Sequence, residues 1–205
     1  MQQANRPWTS LLGAALALGV LMSFWPVIGA ADAVSDASAA DASGGGIVAG
    51  AWQHHKVNFN YFGFTTLFTC SGLQNQVRNV LLHMGARKDV RVTATGCPGP
   101  RDGASRNAWV SADFYTLAPV ANDGVSDTVK ARWTPVELTP RRPYFMGDGD
   151  CELIQGMKDV ITQNFSLRDI EYRTSCFPNS LSPDGFAIKG QALRAVPLTS
   201  SALTG

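Results

Sequence analysis

The stretch Cys70-Ser-Gly-Leu-Gln-Asn-Gln-Val-Arg-Asn-Val-Leu-Leu-His-Met-Gly85 decides the fold, because its pattern occurs twice. Leu73, Val77, Val80, Leu81 and Met84 recur at the spacing that lines one face of a helix. Eighty residues on, Leu153, Met157, Val160 and Ile161 repeat the first four of them behind Cys151. Ser71 is placed to cap the first helix and Gly85 to end it.

The offset continues into the strands. Val90 and Val92 match Ile170 and Tyr172 at period two, and Cys97 and Cys176 close the two stretches. Residues 110–119 lie over 188–197, and both runs end in proline. Upstream, residues 57–68 alternate until Gly63, which reads as a bulge. Residues 129–138 alternate around Pro135, which marks an edge strand or a bulge. Each half, about 55–120 and 128–198, therefore reads strand, helix, strand, strand. The expected fold class is α+β, an internal duplication with helices packed on one face of a mainly antiparallel sheet. The other face is either solvated or the place where something binds.

Cys70, Cys97, Cys151 and Cys176 are the only cysteines. A 15-residue helix rises roughly 22 Å, and the strand after it runs back about as far. This geometry predicts the bridges Cys70–Cys97 and Cys151–Cys176 among the three pairings that four cysteines permit. No Cys-x-x-Cys occurs, and the thiols are too dispersed for a zinc site.

The N-terminus points to an oxidising compartment. Residues 11–25 are almost wholly apolar behind Arg6, Pro26 breaks the run, and Ala31-Asp-Ala33 has a signal-peptidase form. Residues 1–33 thus read as a signal peptide cleaved after Ala33; left uncleaved, the segment would be the one membrane contact. Residues 34–50, rich in Ala, Ser, Asp and Gly, read as a flexible linker, and 199–205 as a disordered tail. Residues 51–198 are then a single domain in the periplasm or medium, large enough for a real core.

Charge excludes one class of partner. Lys and Arg number 17 against 16 Asp and Glu, without the basic excess of a nucleic-acid binder. Arg141-Arg142 and Arg87-Lys88 read as solvated loop charges. His54 and His55 are weak metal candidates: on a strand they point to opposite faces, and no acidic residue or cysteine stands nearby in sequence. Asp148-Gly-Asp150 reads as a turn into the second helix, and His83 as a partly exposed helix residue. Phe59, Tyr61, Phe62, Phe64 and Phe68 crowd one strand; core packing is the first reading, a covered ligand or partner the second. No nucleophile elbow, phosphate loop or zinc-protease motif is present, so neither catalytic residues nor a cofactor are assigned.

The run Tyr61-Phe-Gly-Phe-Thr-Thr-Leu-Phe-Thr-Cys-Ser-Gly-Leu73 resembles uncharacterised exported bacterial proteins with a paired-cysteine repeat. The resemblance spans residues 52–97 and implies export and paired cysteines, with no activity or ligand attached. The expectation is a non-enzymatic protein of the bacterial cell envelope that binds a protein or a surface. The alternative is a periplasmic small-molecule or metal binder using the sheet face or the cleft between halves. A hydrolytic enzyme stays open, since catalytic groups meet in space and not in sequence.

Overall fold

A computed structural model describes residues 46–98, 103–120 and 128–197. The signal peptide, most of the linker and the C-terminal tail read from the sequence lie outside them. The fold is α+β, with two helices and a six-stranded antiparallel sheet. The elements are β1 (Ile47–Phe62), α1 (Cys70–Met84), β2 (Arg91–Thr95), β3 (Asn107–Pro119), β4 (Thr128–Leu138), α2 (Cys151–Asn164), β5 (Leu167–Thr174) and β6 (Phe186–Ala195).

The sheet order is β2-β3-β1-β4-β6-β5. Counted outward from the centre, each half places its long first strand innermost, then its third, then its second. The halves meet where Ile47–Ala51 pairs with Thr128–Arg132. Beyond that overlap β1 pairs with β3 alone and β4 with β6 alone, so the two long strands splay. The sheet curls enough for β3 and β6, with two strands between them in order, to touch.

Both helices cover one face. Leu73, Val77, Val80, Leu81 and Met84 of α1 are buried, as are Leu153, Ile154, Met157, Val160 and Ile161 of α2. They close on Tyr61, Val110, Phe114, Val136, Leu138, Phe186 and Ile188 in one core. Gly85 ends α1 at φ 107°, a left-handed backbone that glycine alone takes without strain. The opposite face is solvated at its ends only. At its centre Leu117, Ala131, Trp133 and Leu193 form a second small core. Arg168 lies 3.9 Å from the Trp133 ring, and Arg87 3.7 Å from that of Tyr115.

Four local expectations are corrected. β1 starts at Ile47, inside the stretch read as linker, because backbone pairing with β4 holds residues that composition alone would leave loose. Gly63 is not a bulge: β1 stops at Phe62, and the chain turns so tightly that a Cβ at Gly63 would collide with the Tyr61 hydroxyl and the Thr66 carbonyl. The cap of α1 is Thr69, not Ser71; its extended backbone lets its hydroxyl accept the Gly72 N–H at 3.0 Å. Pro135 lies in an inner strand, but past the splay, where β4 has a neighbour on one side only and a missing N–H costs nothing.

Candidate functional site

The structure joins Cys70 to Cys97 and Cys151 to Cys176, the pairing within halves that the spacing predicts. Both bridges start on the first residue of a helix, and both helix starts meet the loop 63–69 at one end of the sheet. Two disulfides fit an oxidising compartment. Each closes a loop of similar length, with separations of 27 and 25 residues.

The loop after β1 is fixed by polar groups of the other half. Glu152, in the first turn of α2, accepts the N–H groups of Phe64 at 2.7 Å and Thr65 at 3.0 Å. The Thr65 hydroxyl has three acceptors in reach, Glu152 Oε1, the Ser180 carbonyl and the Phe177 carbonyl. Thr66 donates its hydroxyl to the Gly149 carbonyl at 2.8 Å. Underneath, Tyr61 is 1% exposed and donates to the Thr66 carbonyl at 2.5 Å. Burial first, then the charges of Glu152 and Asp150, push the Tyr61 phenol far above its usual range, so it stays a donor.

Asp150 explains the turn before α2. Its Oδ2 accepts the Gly147 N–H at 2.8 Å and the Gln76 side-chain amide at 3.0 Å, linking the turn before α2 to the middle of α1. Burial raises its carboxyl above the ordinary value, against the pull of those two donors.

On this pinned end, large apolar side chains face solvent. Phe62, Phe64, Leu67, Phe177 and Leu181 are 39% to 65% exposed. The Phe62 and Phe64 rings meet edge to face at 5.0 Å. Beside them runs an open cleft of about 320 Å³, walled by Asn60, Phe62, Phe64, Glu152, Cys176 and Pro178 among others. The sequence reading splits here: Tyr61 and Phe59 turn toward the core, whereas Phe62 and Phe64 do not. Glu152 and Phe177 carried no signal in sequence, because their partners are 87 to 112 residues away.

The two histidines are not brought together. His54 lies on the outer face, 2.9 Å from Asp113 and against the Tyr115 ring. His55 turns to the helix face, where its Nε2 is 2.8 Å from the Thr116 hydroxyl. That hydroxyl donates to the Asn164 carbonyl, so His55 is the donor in its own bond. Burial first, then the neighbouring His54, lowers the affinity of His55 for a second proton. Among the described residues no three His, Cys, Asp or Glu side chains are grouped to hold a metal ion. His83 is half-buried and bonded to the Glu137 carbonyl at 3.0 Å, and burial lowers its pKa too.

Among the described residues no helix is long and apolar enough to cross a membrane. No family model, characterised protein or solved structure matches this chain.

Proposed function

We propose that this is an exported protein of the bacterial cell envelope, periplasmic or secreted, that acts by binding another protein through its disulfide-stapled end. The observation that carries the reading is the set of Phe62, Phe64, Leu67, Phe177 and Leu181, exposed at the end of β1 and on the adjoining loops, which two disulfides and the Glu152 carboxylate tie down. Large apolar residues scattered singly need no explanation, but a cluster on a rigid support has the character of an interface anchor. Rigidity favours binding, since little side-chain and loop freedom remains to be lost. No catalytic step is assigned.

The test is native mass spectrometry of the protein drawn from its own compartment, wild type beside a Phe64→Asp, Phe177→Asp double variant. The expected result is a second polypeptide riding on the wild type and absent from the variant. Wild type and variant flying alike would overturn the reading.

The second reading is a binder of small molecules or metal ions. Its metal form lacks a converging donor set among the described residues, with His54 and His55 on opposite faces. Its small-molecule form draws on the shallow clefts of the loop end.

A further inference from the structure

Across the outer face of β4, β6 and β5, far apart in sequence, four cations collect around one hollow. Arg141 and Arg142 come from the turn after β4, Arg173 from β5 and Lys189 from β6. The hollow has a volume of about 270 Å³. Two carboxylates, Glu137 and Asp184, also line it. Glu137 is already shared, with Arg142 at 3.5 Å and Lys189 at 3.3 Å. Among the described residues neither Arg141, Arg173 nor Asp184 forms an ion pair. The lining side chains therefore hold two cations more than anions, with Glu171 opposite Lys189 just outside the lining, and the two unpaired guanidinium groups rise from different walls.

The walls themselves are stiff. Thr139 and Arg142 exchange both backbone hydrogen bonds, at 2.7 and 3.2 Å, so the turn that presents Arg141 is closed on itself. Lys189 is the cross-strand partner of Glu137, and Arg173 that of Ala187, which places all of them on one face of the sheet. Pro140 and Pro183, each with a fixed φ, also line the hollow.

We propose that this hollow binds a phosphoryl group, either free or borne on a lipid headgroup. A phosphate monoester carries about −1.5 to −2 charges near pH 7, which matches the local excess. Its oxygens point in several directions, as the cations here do, and guanidinium forks pair with them in a bidentate manner. A carboxylate offers one plane and one charge and leaves part of the excess unanswered. The volume takes the phosphate and a few attached carbons, not a large ligand. This site is separate from the aromatic patch and does not rest on the partner-protein reading.

The test is titration calorimetry of the full chain with inorganic phosphate and with glycerol phosphate, at fixed ionic strength because exposed charges are screened. Flotation with phosphatidylcholine vesicles, with and without phosphatidic acid, runs beside it. The expected result is saturable binding that Arg173→Gln and Arg141→Gln each weaken about tenfold or more, and that Asp184→Asn strengthens. Binding of the soluble phosphates assigns a free ligand. Flotation only with phosphatidic acid, lost in the Arg141→Gln, Arg173→Gln double variant, assigns a headgroup. No binding of either kind, or binding that the arginine variants leave unchanged, overturns the proposal. Both arginines are exposed, so these variants keep the fold, and an unchanged melting temperature checks this.

Discussion

Glu152 is the residue on which the loop end turns. One carboxylate satisfies two backbone N–H groups and a hydroxyl of a loop from the other half. Removing it leaves those donors without their charged acceptor, a loss of about 1–3 kcal/mol. Glu152→Ala is therefore expected to lower the urea midpoint, and to speed hydrogen exchange at Phe64 and Thr65 while the middle of α2 stays protected. Equal exchange at both amides in the two proteins would show that the loop holds itself. Gly63→Ala acts on the same loop from below. Its methyl meets the Tyr61 hydroxyl and the Thr66 carbonyl, and Tyr61 has no room to yield at 1% exposure. Overpacking of this kind typically costs about 1–3 kcal/mol, which chemical denaturation reads directly. The sequence marked Gly63 as special but misread the reason. A bulge and a tight turn both call for glycine, and the carbonyl that decides between them belongs to a residue three positions on.

The helices show what local pattern reveals. Every apolar position of α1 picked out by spacing is buried, because 3.6-residue periodicity is set within the element itself. The bridges were legible for a similar reason: a helix and a returning strand fix where the second cysteine falls. Elements whose ends depend on distant partners were not. The first residues of β1 read as linker by composition and become a strand only because β4 pairs with them. The aromatic patch was half legible. Phe62 follows from alternation along β1, whereas Phe64 lies past the end of that strand and Phe177 and Leu181 come from the loop before β6, which has no periodicity to read. The bridges can also be compared as elements of stability. Their separations of 27 and 25 residues predict closely similar chain-entropy contributions, roughly 3–4 kcal/mol each. Replacing either pair by alanine is expected to lower the melting temperature by similar amounts. The Cys151 pair should show the larger drop, since Cys151 is 4% exposed within the core and its loss also leaves a void. Calorimetry of the two double variants checks the order.

At the scale of the molecule the halves lock together by reciprocal contacts. The C-terminal end of α1 reaches the second half through His83 and the Glu137 carbonyl of β4. The C-terminal end of α2 reaches the first half through the Asn164 carbonyl, the Thr116 hydroxyl of β3 and His55 of β1. The two contacts correspond in place, as does the strand order of the two halves counted outward from the centre. They also make the junction sensitive to acid. Both histidines have pKa values lowered by burial, from the ordinary 6.5, with His54 adding to the effect at His55 and Arg194 at His83. Below 6.5 the unfolded chain takes up protons that the folded chain refuses, so the unfolded state gains ground. The stability due to keeping both neutral is complete above 6.5 and is lost as pH falls through the lowered folded values. Asp150, its pKa raised by burial, has the opposite sign: its contribution is present below 3.8 and is lost as pH rises through the raised folded value. Urea denaturation from pH 7.5 to 5 is thus expected to show falling stability, and His55→Gln with His83→Gln to flatten that slope. A slope unchanged in the double variant would place the acid-sensitive contact elsewhere than at the junction of the halves.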